Sequence, residues 1–222
     1  ALRERLADWD GADIDAHIAK GYQDYWLSFD TDTLVHHATL MAKAERENLD
    51  MHIETRIDPL RSATELIIYA SDHPGLFAQV AGAMALSGAS VLDAKMVTMS
   101  NRMVLDIFLV QDSQNKPYDN KARLKKLWRR MEGAVAGELY PAREFAKAKA
   151  ATLPSRTRVF KVPPRVIVDN AASASHTVIE LNGRDRPGFL YDVAMALRDL
   201  GLQIASAHIS TYGERVVDVF YV

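Results

Sequence analysis

Two stretches of the chain carry the same alternation of apolar and polar positions. Residues 64–70 (TELIIYA) and 177–182 (TVIELN) are rich in β-branched and aliphatic side chains and read as strands. Each runs into an Asp-X-Pro-Gly turn. Apolar positions then recur at helical spacing: Leu76, Val80, Ala83 and Met84 in the first stretch, Phe189, Val193, Ala196 and Leu197 in the second. Pro74 and Pro187, in the turns, fall near the first helical turn, where a missing N–H costs nothing. Gly88 and Gly201 fall where each helix should stop, in the place favoured for a left-handed cap. Strands over 90–99 and 103–110 follow, joined by a tight turn at Ser100-Asn101, with Gly213-Glu214 as its counterpart. The first stretch then enters an amphipathic helix over 120–135, striped by Leu124, Leu127, Trp128, Met131 and Val135. Beyond a helical extension lie β-rich pieces at 158–162 and 165–169, split by Pro163-Pro164.

The two stretches are copies of one another. Residues 72–110 and 185–222 align with a single one-residue gap, and identical pairs include Asp72/Asp185, Pro74/Pro187, Gly75/Gly188, Gly88/Gly201, Thr98/Thr211, Arg102/Arg215, Asp106/Asp218 and Phe108/Phe220. The order β-α-β-β-α-β predicts an α+β fold: tandem ferredoxin-like domains, each an antiparallel sheet with helices on one face. The first domain spans 51–170. Residues 170–176 (NAASASH), small and polar, read as a linker, and the second domain spans 171–222 and lacks its last helix and last strand. Its uncovered sheet face calls for a cover from the first copy or from another chain. Residues 1–50 form a helical connector, with helices over 2–7, 14–29 and 33–48 packed through Trp9, Tyr22, Tyr25, Trp26 and Phe29. Residues 51–57 alternate like an extra strand, paired as a hairpin with 64–70 across Asp58-Pro59.

Composition narrows the function. A net charge of −2 over 222 residues offers no field for nucleic acid or anionic lipid, and no apolar run is long enough for a membrane span. No nucleic acid and no membrane is therefore expected as a partner. The absence of cysteine removes thiolate metal sites and suits the cytoplasm. The chain opens without Met inside a helical pattern and reads as a segment of a longer protein.

These residues resemble the ACT domain, a family of small amino-acid-sensing modules. The segments DHPGLFAQVAGAMALSGASVLDAK, VFKVPPRVIVDN and RDRPGFLYDVAMALRDLGLQIASAHISTYGERVVDVFYV are similar to the carboxy-terminal part of the bifunctional uridylyltransferase/uridylyl-removing enzyme family. The resemblance implies a parent with a nucleotidyltransferase domain and an HD-type phosphohydrolase domain, both dependent on Mg²⁺, acting on the nitrogen-signalling PII protein. Residues 1–50 would then end the HD region. The ACT pair would sense glutamine or another small amino acid, through ACT–ACT pairing within or between chains. No cofactor and no catalytic residue is expected in this chain itself.

The site candidates are the two turns: Asp72, His73, Pro74, Gly75, Leu76 and Phe77, and Asp185, Arg186, Pro187, Gly188, Phe189 and Leu190. A strand that ends in a turn opening a helix aims free N–H groups and the positive end of the helix dipole at one spot, which suits an amino-acid carboxylate. Asp72 and Asp185 could cap the helix or accept an ammonium, and sequence leaves that choice open. In ACT domains the ligand commonly lies against the neighbour's second strand, which here implicates 91–95 and 204–208. The X position is His73 in one turn and Arg186 in the other, so the sites should differ. The triplets Asp13-Ile14-Asp15 and Asp30-Thr31-Asp32 lack the Gly-Ser turn of a nucleotidyltransferase and read as helix caps. His36 and His37, adjacent on a helix, point about 100° apart and do not read as a metal pair. Lys121, Arg123, Lys125, Lys126, Arg129 and Arg130 crowd one helix, as a solvated face or as a docking surface for a partner.

Overall fold

A computed structural model describes residues 1–151, 163–184, 186–212 and 215–222, so the expected β piece at 158–162 and the Gly213-Glu214 turn lie outside the described residues. The chain order is α1 (Leu2–Arg5), α2 (Gly11–Ile18), α3 (Gln23–Ser28), α4 (Thr31–Arg46), β1 (Met51–Asp58), β2 (Ala63–Ser71), α5 (Leu76–Leu86), β3 (Ser90–Thr98), β4 (Met103–Gln111), α6 (Lys121–Val135), α7 (Pro141–Ala151), β5 (Arg165–Asp169), β6 (Val178–Arg184), α8 (Phe189–Asp199), β7 (Ser206–Tyr212) and β8 (Arg215–Tyr221). The eight strands form one sheet in the order β1-β2-β4-β3-β7-β8-β6-β5.

That order confirms the ferredoxin-like arrangement in both copies and corrects where the outer strand comes from. In the first copy the place beside β2 is taken by β1, which precedes it. In the second copy it is taken by β5, whose register with β6 pairs Arg165 with Asn182 and Asp169 with Val178. Residues 165–169, read above as closing the first copy, therefore belong to the sheet of the second. Residues 170–176 are the connection of the β5–β6 hairpin rather than a linker between domains, and Asp169 Oδ1 accepts from Ala171 N and Ala172 N at 2.7 and 3.1 Å to shape it. The second copy thus has four strands. Each copy reads β-β-α-β-β along the chain. On β5, Val166 and Val168 face the same side as Leu181 and Ile179 through that register, and both valines are more than half exposed.

Contacts divide the chain into two units. The first comprises residues 1–54, 67–72 and 96–106: the four opening helices with the neighbouring ends of β1 to β4. The expected helix over 14–29 is two helices, because the chain breaks at Gly21, whose carbonyl accepts from Trp26 Nε1 at 3.0 Å. Asp30 caps α4 through Thr33 N at 2.8 Å, as its triplet predicts. The other triplet supplies no cap: Asp13 and Asp15 lie inside α2, whose cap is Asp10 ahead of them, and Asp15 pairs with Arg3. His17 and His37 are buried among aromatic rings, while His36 lies 3.7 Å from Glu54. No cluster of metal-ligating side chains occurs among the described residues. The helices are tied to the strand ends by a run of polar contacts. Ser100 N and Oγ donate to Lys20 O and Ala19 O at 2.9 and 3.0 Å. Asn101 Nδ2 donates to Tyr69 OH, which donates to Glu45, and Glu45 also holds Lys20.

The second unit holds residues 55–66, 73–95 and 107–222. In it α6, α7 and α8 all pack against α5. Leu127 and Met131 of the expected α6 stripe are buried, together with Ala134, whereas Leu124, Trp128 and Val135 are half-buried. The basic residues of α6 divide in two. Arg130 donates to Leu86 O at the end of α5, and Arg123 lies over the Tyr118 ring at 4.4 Å and 3.4 Å from Asp112. Lys121, Lys125, Lys126 and Arg129 are exposed. Arg130→Ala should cost about 1–2 kcal/mol by leaving that carbonyl without its donor, while Lys126→Ala should stay within about 0.5 kcal/mol. Urea melts of the two variants would check the contrast; equal midpoints would contradict it.

Candidate functional site between the two copies

The copies meet where β3 pairs antiparallel with β7, through Asp93↔His208, Ala94↔Ala207 and Lys95↔Ser206. Ala94 and Ala207 are counterparts in the repeat alignment, so a pseudo-twofold axis passes between them, as in a self-complementary dimer interface. Both are buried, at 1% and 0% exposure. His208 Nδ1 lies 3.0 Å from Asp93 Oδ1, beside the axis. The same axis sets α5 and α8 side by side. Ala78, Tyr191 and Ala194 form a small core there, flanked by Phe77, Phe145, Met195 and Ile204.

The two turns are built alike. Gly75 and Gly188 precede their helices with φ of +91° and +80°, a left-handed conformation that glycine adopts without strain. Leu76 N and Phe189 N close the turns onto His73 O and Arg186 O at 3.1 and 3.0 Å. The helices begin at Leu76 and Phe189, so Pro74 and Pro187 sit in the turns just ahead of them, as expected. Neither helix start has a side-chain cap, so Asp72 does not cap α5. Asp185 lies outside the described residues. First-turn N–H groups that no side chain caps are open to another acceptor.

At the second turn these features line a cavity of about 280 Å³. Arg186, Pro187, Gly188, Phe189 and Leu190 form one wall, and Asp218 of β8 also lines it. The first copy supplies the other side: Ala81, Ala85, Gly88, Ala89, Ser90 and Val91, with Ser113. Arg186 pairs with Asp192 and lies 5.7 Å over the Phe189 ring. A Cβ on Gly188 would stand 2.9 Å from the Phe145 ring of α7. Of the two neighbouring stretches implicated by the sequence, only Val91 of 91–95 reaches this cavity; Asp93 and Lys95 face β7. The first turn keeps different company. A Cβ on Gly75 would stand 3.0 Å from Arg198 Cδ, and Phe77 stacks on Phe108 at 5.7 Å. His73 Nδ1 lies 3.5 Å from Pro74 O.

Sequence reasoning passed over the central acids of β4 and β8. Asp106 and Asp218 are buried at 2% and 1% exposure, between Val104 and Phe108 and between Val216 and Phe220. The signal was present, since strand alternation puts each aspartate on the same face as two core residues, in both copies. Burial, with Asp72 nearby, pushes the Asp106 carboxyl up to about 7. Arg198 was also missed; its place against Gly75 depends on how α8 packs across the axis.

Two ferredoxin-like copies joined through β3 and β7, with a cavity beside a glycine turn at the join, define a tandem ACT-type protein. Residues 165–222 match a family model described as an ACR9-like, ACT-like domain, and that match begins at β5, where the corrected second copy begins. Bifunctional uridylyltransferase/uridylyl-removing enzymes match the whole chain: that of Azospirillum brasilense is 51% identical over 223 residues, that of Rhodospirillum rubrum 47% over 221, and that of Ruegeria pomeroyi 41% over 224. The chain covers 24% of the length of each of these relatives. Over its whole length the chain is similar to the carboxy-terminal part of these enzymes. No helix among the described residues is long and apolar enough to cross a membrane.

Proposed function

We propose that this chain is the amino-acid-sensing regulatory region of a cytoplasmic enzyme that attaches uridylyl groups to the PII protein and removes them, and that its ligand is glutamine. The cavity at the second turn is the observation that carries this reading. Its volume lies just below the roughly 300–1,000 Å³ of drug-sized ligand sites, which suits one amino acid better than a nucleotide. The start of α8 offers N–H groups and the positive end of a helix dipole to the α-carboxylate. Asp218 offers a carboxyl oxygen to the ammonium, and Ser90 and Ser113 offer hydroxyls to a side-chain amide. Because the lining comes from both copies, a bound ligand favours the arrangement of copies that closes on it. That differential affinity is what a sensor passes to catalytic domains elsewhere. The Mg²⁺-dependent chemistry belongs to those domains.

Isothermal titration of the chain with glutamine, with glutamate and glycine as controls, tests the reading. A saturating heat is expected with glutamine alone. Gly188→Val should abolish it, because the valine meets both the Phe145 ring and a backbone conformation it resists. Asp218→Asn should weaken it without that backbone strain. Absence of any glutamine heat, or unaltered affinity in both variants, would overturn the assignment.

A further inference from the structure

The pseudo-twofold axis gives each turn the end of the other copy's helix as its neighbour, and the two neighbours differ. The alignment that pairs Gly75 with Gly188 also pairs Ala85 with Arg198. At the second turn, Ala85 ends at its Cβ and borders the open cavity. At the first turn, Arg198 reaches into the corresponding place. Its Cδ and a terminal guanidinium nitrogen lie 3.0 and 3.2 Å from the point where a Cβ on Gly75 would stand. The guanidinium is anchored on its own helix, since Arg198 Nε donates to Asp199 Oδ1 at 3.0 Å. A cation held beside the start of α5 is also the wrong charge for a ligand ammonium, and its stem fills space a ligand would need.

Resting on the amino-acid reading above, we propose that Arg198 closes the first turn from within the chain, so that one amino acid binds per chain, at the second turn. The Ala85/Arg198 difference then decides which of the duplicated turns is open.

Titrations that report stoichiometry test this with glutamine as the probe. Wild type should take up one equivalent. Arg198→Ala, a truncation of a partly exposed side chain, should admit a second equivalent. Ala85→Arg should weaken the original site by about tenfold or more. Arg198→Ala carries the test even where Ala85→Arg fails to fold. Two equivalents in wild type, or an unchanged stoichiometry in Arg198→Ala, overturn the proposal. Weaker binding in Arg198→Ala overturns it as well, by making Arg198 a contact for the ligand carboxylate. If wild type and both variants take up no glutamine, the amino-acid reading of the cavity fails, and this proposal fails with it.

Discussion

Gly82→Leu should destabilise the chain by about 3 kcal/mol and lower its melting temperature by about 6–12 °C. Gly82 lies in the middle of α5, where glycine is a poor helix former. Its value there is the space it leaves. A Cβ at this position would stand 2.6 Å from Pro141 Cβ and 2.8 Å from the Tyr191 ring, at the junction of α5 with α7 and α8. Proline is rigid and Tyr191 is buried, so neither yields easily. Leucine must therefore push helices apart. The same displacement moves Ala81 and Ala85, which border the cavity, so ligand binding should fall with stability. Gly82→Ala, adding only the Cβ, should show a smaller loss of the same kind. Thermal melts followed by circular dichroism would measure both. A melting temperature unchanged in Gly82→Leu would mean that the three helices do not meet as described.

The second large effect is a gain. Asp106→Asn should stabilise the protein at pH 8 and leave it almost unaffected near pH 4. The folded state holds the Asp106 carboxyl at about 7, above its ordinary 3.8, through burial and the nearby Asp72. Between those values the folded chain keeps a proton that the unfolded chain has released, so stability falls as pH rises through that window. At about 1.36 kcal/mol per pH unit the cost approaches 4 kcal/mol above pH 8, an upper bound for what asparagine restores. His17 acts in the opposite sense. Burial first, and then Lys20, bring its imidazole down to about 4, so it removes stability as pH falls from 6.5 towards 4. The two slopes oppose each other in wild type. Asp106→Asn should expose the slope of His17, to which His52, also lowered by burial, adds in the same sense, as a stability that rises from pH 4 to 6.5. Urea unfolding at several pH values would show it, and parallel curves for wild type and variant would count against the raised carboxyl.

The parts of this fold that were legible in the sequence are those set by near neighbours. Helical spacing from Leu76 to Met84, and left-handed glycines at 88 and 201, act over a few residues and fall where expected. The ownership of 165–169 was not legible. A strand's alternation says that it will pair, but its partner is chosen by topology, and the outer place in each copy is open to a strand from in front or from behind. The turns were legible as candidates, and the sequence already marks them as different at His73 and Arg186. The difference that the packing brings forward is at Ala85 and Arg198, twelve residues further along each copy. Neither residue carries a site signal alone, because its meaning comes from the helix lying across the axis.

The polar contacts at the tips of the strands have a mechanical consequence. Residues 47–50 are all the chain that separates α4 from β1. Beside that short joint, the β3–β4 turn grips the end of α2 through Ser100, and Tyr69 of β2 grips α4 through Glu45. A covalent joint with little slack and two separate hydrogen-bonded grips fasten the opening helices to the strand ends of their own unit, so that a push on the helices is felt at Tyr69 and Ser100.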